Sequence, residues 1–309
     1  MSDTCRHELF AYDADAALAE FAAPFLDEGL DQGEALIAVY VAHKQALLRD
    51  ALGSGPGGVT FVDADEVYTR PEAAVREHDA TIRQRLRDGA PSVRVMGELP
   101  VWETREQWDS WLLYDALLNR VFAHFPLRVV CTYDERVTPE AVMRASRDAH
   151  PRIHGDGLGD GHGHHNPHHQ DPVEMVRSLT PEPQPLPGLR AVPAGEDALG
   201  FRRHLAGEMS AAGVPADAAG ELLLAAAEIY DNAVRHGDGS PALRVGRVGD
   251  RFVCELADRG SGLDDPMAGY LPPRQGTTDG AGLWVARQLT SRLELLPTPG
   301  GGLTARLWT

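Results

Sequence analysis

The 309-residue sequence predicts an α/β protein of two domains separated by a low-complexity segment. Three observations carry that expectation. The first half alternates short apolar runs with amphipathic stretches, the pattern of a doubly wound, mainly parallel sheet. The last third combines amphipathic helices with strands that alternate as half-buried strands should, a second α/β pattern. Between them the composition turns abruptly to glycine, histidine and proline. A chain of this length can build two separate cores.

In the first half, residues 35–41 (ALIAVYV) are continuously apolar, as a strand covered on both faces should be. Residues 59–62, 93–96 and 127–133 read as further strands, with helical patterns over 44–52, 71–87 and 105–125 between them. Ligands in such sheets favour the carboxyl ends of the strands. No G-x-x-x-x-G-K-[ST] occurs, so a phosphate-binding P-loop is not expected. Lys44, after the first strong strand, reads as a solvated helix start. This half is expected to hold a ligand or partner rather than to catalyse.

The pieces His7-Glu-Leu-Phe10, Val95-Met-Gly-Glu98, Tyr114-Asp-Ala-Leu-Leu-Asn119, Cys131-Thr-Tyr-Asp134 and Ala149-His-Pro151 resemble the DcmR-type sensory domain MEDS over about residues 5–151. The resemblance implies a RecA/KaiC-like fold without the P-loop, sensing a small signal. His7, Cys131 and His150 carry thiol and imidazole groups that would suit zinc or copper. The plainer reading of the three is one buried cysteine and two histidines at element ends. Glu98 and Tyr133 are alternative ligand contacts at strand ends.

From 153 to 195 the chain reads as linker: a glycine- and histidine-rich stretch, a short helical turn or strand at 173–179, then a proline-rich spacer. Seven histidines lie between His150 and His169, and a solvated linker is the expectation for them. The flanking domains are then 1–152 and 196–309.

The C-terminal domain is organised around residues 221–236, ELLLAAAEIYDNAVRH, closed by Gly237. Leu222, Ala225, Ala226, Ile229 and Ala233 recur at three- and four-residue steps and mark a buried face. Glu228 and Asn232 stand one turn apart on another face, with Arg235 a further turn on. Gly237 is expected to end the helix in the left-handed conformation. A carboxylate and a carboxamide so spaced can share a metal-bound nucleotide, the amide oxygen ligating magnesium and the carboxylate accepting a proton.

Asp258-Arg-Gly-Ser-Gly262 follows an alternating strand, so the Asp258 carboxylate sits where a strand opens into a loop. It can accept from a purine amino group, while Gly260 and Gly262 let backbone approach the ring. Gly280 and Gly282, with Leu283, open a helix whose free N–H groups would face phosphate oxygens. Residues 243–248 and 252–257 form a hairpin, and 292–296 and 303–308 complete the sheet. Residues 263–279 would form a mobile lid.

Helix, strand–Asp–loop and Gly–helix in this order resemble the N box and two glycine boxes of the GHKL (histidine kinase-like) ATPases, across about 198–309. Within them, Phe201-Arg-Arg-His-Leu205 before the N box and Gly282-Leu-Trp-Val-Ala-Arg-Gln-Leu289 after it are most similar to the anti-sigma serine/threonine kinases of the RsbW type. The resemblance implies a Bergerat-type fold, an α/β two-layer sandwich with helices on one face of the sheet, binding ATP and Mg2+. Asn232 would bind magnesium, Glu228 would be the general base, Asp258 would hold adenine, and Thr304 would back the adenine pocket. Arg235 would neutralise phosphate charge or remain on the surface. The implied partners are a sigma factor and a STAS-domain anti-anti-sigma protein, with homodimers suggested.

Two rival readings share these motifs. A sensor histidine kinase would need a two-helix module with an accepting histidine, and His204 lies in the one helix before the N box. An ATP-binding module could instead sequester partners without transferring phosphate. The formal charge of −17 speaks against a nucleic-acid surface. Three widely spaced cysteines exclude a disulfide framework, and no apolar run is long enough for a membrane span. A cytoplasmic protein is expected.

Overall fold

The structure, a computed structural model, describes residues 4–53, 56–155, 163–180, 184–270, 273, 280–298 and 300–309. It divides into two units, Met1–Leu179 and Thr180–Thr309.

The first unit runs β1 (Cys5–Tyr12), α1 (Asp15–Asp31), β2 (Ala35–Tyr40), α2 (Ala42–Ala51), β3 (Val59–Asp63), α3 (Ala64–Val67), α4 (Pro71–Arg87), β4 (Val93–Glu98), α5 (Arg105–Val121), β5 (Leu127–Asp134), α6 (Glu140–Ala149), β6 (Arg152–Ile153), β7 (His164–His165) and α7 (Pro172–Leu179). Its sheet has the order β3-β2-β4-β5-β1-β6-β7, parallel throughout except for β7. Strand alternation sends Phe10, Tyr12, Leu36, Met96 and Val130 to one face, against Leu18, Phe21 and Leu26 of α1. Leu9 and Tyr133 point to the other face, where Met143 of α6 packs. Both faces are therefore covered, as the apolar strands require. Helix α5 starts at a capping box in which the Thr104 hydroxyl accepts from the Gln107 N–H at 3.3 Å.

The expected strands and helices of this half form, and β1, α1 and α6 join them. β1 lies between β5 and β6, and its sequence, CRHELFAY, hides its buried position behind charged residues. Glu8 is fully buried, taking Arg128 Nη2 at 3.2 Å and His154 Nε2 at 2.7 Å. Burial would raise its carboxyl; His154 and Arg128 overcome this and hold it at about 2. Lys44 departs from expectation. It is buried, donates to Glu98 and Tyr12, and lies 3.5 Å from Asp134, because the carboxyl ends of β1, β4 and β5 place three polar groups around it.

The second unit contains β8 (Arg190–Val192), α8 (Ala198–Ala211), α9 (Ala216–His236), β9 (Ala242–Val248), β10 (Arg251–Ala257), α10 (Ala281–Leu289), β11 (Arg292–Pro297) and β12 (Leu303–Trp308). The antiparallel sheet has the order β11-β12-β10-β9-β8. One sheet face, with Leu243, Val245, Phe252, Cys254, Leu256 and Leu307, buries against the helices; Phe201 of α8 stacks on Tyr230 of α9 with ring centroids 4.4 Å apart. The other face carries a charge ladder. Glu255 Oε2 accepts from Arg306 Nε at 2.8 Å and Oε1 from Arg244 Nη1 at 2.9 Å.

The span 153–195, read as linker, is largely built into the two units. β7 pairs antiparallel with β6, α7 packs on α5, and β8 forms an edge strand. The carbonyls of Gln184 and Leu189 accept from Arg306 Nη2 at 2.5 Å and Arg244 Nη2 at 3.1 Å. These anchors are backbone carbonyls, which a composition argument does not see. Residues 156–162 and 181–183 lie outside the described set. Among the described residues, no helix is long and apolar enough to cross a membrane.

The Glu255 ladder yields a stability prediction. Removing Glu255 takes the nearest counter-charge from the buried Arg306 guanidinium and leaves Glu294 at 3.6 Å, so Glu255→Ala is expected to lower stability by about 3 kcal/mol. Glu208→Ala, which frees only the exposed Arg190, should cost under about 1 kcal/mol. Urea unfolding of the full chain checks both; equal effects would contradict the assignment.

Candidate functional site

Helix α9 carries Glu228 and Asn232, both half-buried, on the side that meets α10. The contact point is Gly282, in the first turn of α10. A Cβ there would lie 2.8 Å from Glu228 Oε2 and 3.4 Å from Asn232 Nδ2, so only glycine leaves both side chains undisturbed. Gly280 is the N-cap, in the left-handed region at φ 78°, and supplies no side-chain cap. The first-turn N–H groups, which an α-helix leaves without intrahelical partners, begin beside Glu228 and Asn232.

Asp258, at the end of β10, reaches the opposite end of the site. Its Oδ1 accepts from Gly260 N and from Leu303 N, each at 2.9 Å. Its own N–H donates to Leu303 O at 2.9 Å, and Arg259 N donates to Gly237 O at 3.1 Å. No donor among the described residues reaches Oδ2. Gly237, the C-cap of α9, has φ −103°, not the left-handed value expected. Its glycine is required by proximity instead: a Cβ would fall 2.5 Å from Asp258 Cβ. The left-handed residue is the next one, Asp238, at φ 57°.

Gly260 packs against the end of α9, where a Cβ would lie 2.9 Å from Gly237 Cα. Gly262 is left-handed at φ 84° and borders Gly302. Thr304 is buried on β12, opposite Ala257, with its hydroxyl 2.8 Å from that of Thr298. Leu283 abuts Gly269, and a Cβ at Gly269 would lie 2.7 Å from Leu283 Cβ. The structure therefore gathers Glu228, Asn232, Gly282 and Leu283 at one end, and Asp258, Gly260, Gly262 and Thr304 at the other, joined by the last turns of α9. Arg235 is exposed in that last turn and is not drawn into either group. Gly302, also needed at the Asp258 loop, went unread; its signal was the glycine run before β12.

The expected lid falls partly outside the described residues, at 271, 272 and 274–279. Its first part is anchored. Arg287 of α10 lies over the Tyr270 ring at 3.6 Å, and both side chains are buried.

In the first unit, His7, Cys131 and His150 do converge, and a fourth group joins them. His7 Nε2 is 3.3 Å from Cys131 Sγ, and the His7 and His150 rings are 4.1 Å apart. Asp115 of α5 places Oδ1 at 3.9 Å from Cys131 Sγ and accepts from the Tyr133 hydroxyl. Burial lowers His7 to about 4, and raises Asp115 to about 7 and Cys131 well above its usual range. Asp115 and Asn119 were not read as site residues, although four-residue spacing sets them on one face of α5. Glu98 lies elsewhere, engaged by Lys44, Tyr12 and Thr132. Asp115, Cys131 and Tyr133 also line a small cavity of about 30 Å³ with Tyr68 and Tyr114.

Comparison with known proteins agrees with this division. Residues 6–151 match the family model described as the methanogen/methylotroph DcmR sensory domain, MEDS. Residues 192–307 match the model of the histidine kinase-like ATPase domain. The chain is similar to the histidine kinase domain of the E. coli osmosensor EnvZ, solved by NMR, at 20% identity over 40% of this chain and 89% of that one, with a TM-score of 0.24. No curated protein matches. The chain thus carries an N-terminal MEDS sensory domain and a C-terminal histidine kinase-like ATPase domain.

Proposed function

We propose that the chain is an ATP-dependent anti-sigma factor and protein serine/threonine kinase. In this reading it controls a sigma factor by partner switching with a STAS-domain anti-anti-sigma protein, under modulation by the MEDS domain. The single observation that carries the reading is the packing of Glu228 and Asn232 against Gly282 at the open N-terminus of α10.

The residues present fit ATP and magnesium, which the ATPase family implies. Asn232 offers a neutral amide oxygen to the metal. The first turn of α10 offers N–H groups to phosphate oxygens. Asp258 would accept from the adenine amino group through Oδ2, a role supported by Gly260 and Leu303 already occupying Oδ1. Thr304 closes the pocket beside it. Magnesium, when bound, offsets charge on the phosphates. Glu228 takes the proton of a partner serine or threonine hydroxyl as its oxygen attacks the terminal phosphorus and ADP leaves.

The fold supports this reading over the histidine kinase. Among the described residues of the second unit, only α8 precedes α9, too little for a two-helix phosphoacceptor module. An intact carboxylate at 228 supports transfer over simple sequestration. The charge of −17 suits protein partners with basic faces.

Labelled ATP, incubated with the full chain and candidate STAS proteins, should place label on a partner serine or threonine. Glu228→Gln should slow that transfer about 10²–10⁴-fold while nucleotide binding persists. Label on His204, or tight partner binding without label, would contradict the kinase reading. A second variant tests the geometry. Gly282→Ala pushes against the movable tip of Glu228, so stability should change by under about 1 kcal/mol while transfer slows about 10²-fold. Unchanged transfer would remove Gly282 from the account.

A further inference from the structure

We propose that His7, Asp115, Cys131 and His150 form a binding site for one divalent transition-metal ion, with zinc the best match. The inference concerns the sensory unit and stands apart from the kinase reading. It rests on geometry that no sequence-adjacent motif creates: the four residues come from β1, α5, β5 and the C-cap of α6, and one ligand atom from each lies within 4.8 Å of the others.

The hydrogen bonds fix which ring nitrogens face inward. Asn119 Nδ2 donates to Ala149 O at 2.8 Å, which turns its carbonyl oxygen toward His7. His7 Nδ1, 3.0 Å from that oxygen, must then be the protonated nitrogen. His150 Nδ1 likewise donates to Ser146 O, at 2.6 Å. Both Nε2 atoms therefore present lone pairs. His7 Nε2 faces Cys131 Sγ, whereas His150 Nε2 is buried without a hydrogen-bond partner among the described residues. An orphaned acceptor on a fully buried residue is costly, and a cation would satisfy it. An imidazole whose Nδ1–H is tied to an oxygen, with Nε2 turned inward, is also the arrangement in which metal-ligating histidines are held.

The donor set completes the case. Two imidazoles, a thiolate and a carboxylate suit a borderline-soft ion such as zinc. The two anionic groups would balance the charge of a divalent ion in a site where an uncompensated charge is disfavoured. Tetrahedral zinc, with bonds of about 2.0–2.3 Å, needs donors roughly 3.3–3.8 Å apart, so the set must contract by roughly 1 Å. The Tyr133 hydroxyl on Asp115 Oδ2 leaves Oδ1 turned toward Cys131. A small cavity bounded by Asp115 and Cys131 adjoins the cluster.

The test is cobalt(II) titration of the metal-free full chain, followed by competition with zinc. One equivalent should produce thiolate-to-cobalt charge-transfer absorption, and one equivalent of zinc should abolish it. Cys131→Ser should remove the band, and Asp115→Asn should weaken binding at least about tenfold. The double variant His164→Gln/His165→Gln, which removes exposed imidazoles of β7, should keep the band. X-ray absorption of the wild-type cobalt form needs no variant and should show one sulfur and three nitrogen or oxygen neighbours. A wild-type protein without the band, a sulfur-free shell, or a band that survives in folded Cys131→Ser would overturn the assignment.

Discussion

The carboxylate of Asp258 holds together three backbones that would otherwise part. One of its oxygens receives the N–H groups of Gly260 and Leu303, so the glycine loop and β12 are tied to the end of β10. Such charge-assisted bonds contribute about 1.5–3 kcal/mol each. They form only because Gly237 and Gly302 bring no side chains to the junction. The last turn of α9 can then lie against the loop, and its Glu228 and Asn232 are carried into line with α10. Remove the close approach and the two ends of the candidate nucleotide site lose their common frame.

The two units use buried charge differently. In the ATPase domain it lies on one sheet face, where Glu255 bridges Arg244 and Arg306 while the helices cover the apolar face. That leaves the helix side free to build a site from short-range fits between glycines and carboxylates. In the sensory domain, charge lies inside a sheet covered on both faces: Glu8 with Arg128 and His154, Arg94 with Glu34 and Glu28, Lys44 with Glu98. Each such charge is tolerated only because an opposite charge or a hydrogen bond meets it. Among the described residues, His150 Nε2 is one of several buried polar atoms of this unit without a hydrogen-bond partner, and differs from the others in lying beside a thiol, a carboxylate and a second imidazole.

Periodicity made much of this legible. Residues 71–87 gave α4, and alternation gave the hairpin of β9 and β10 with its turn, because one buried face imposes a regular pattern. The N box and glycine boxes could be read because each needs a particular residue type at a fixed spacing. β1 escaped because Arg6 and Glu8 break its apolar run, and Glu8 is buried only by virtue of Arg128, distant in sequence. β8 escaped because three residues at a sheet edge carry no period. Asp115 escaped because its neighbours His7, Cys131 and His150 come from three other parts of the chain, a meeting that no spacing encodes. Gly237 was read correctly as a helix end but for the wrong physical reason: its neighbour, rather than its own dihedral angle, demands glycine.

The most direct test of the account is calorimetric titration of the intact chain with Mg·ATP, in the wild type and in Asp258→Asn. Asparagine keeps an oxygen for Gly260 and Leu303 but turns an amide donor toward the adenine amino group. The account predicts saturable binding by the wild type, and binding about tenfold weaker or worse in a variant that remains folded. No binding by the wild type, or equal affinity in the folded variant, would contradict it.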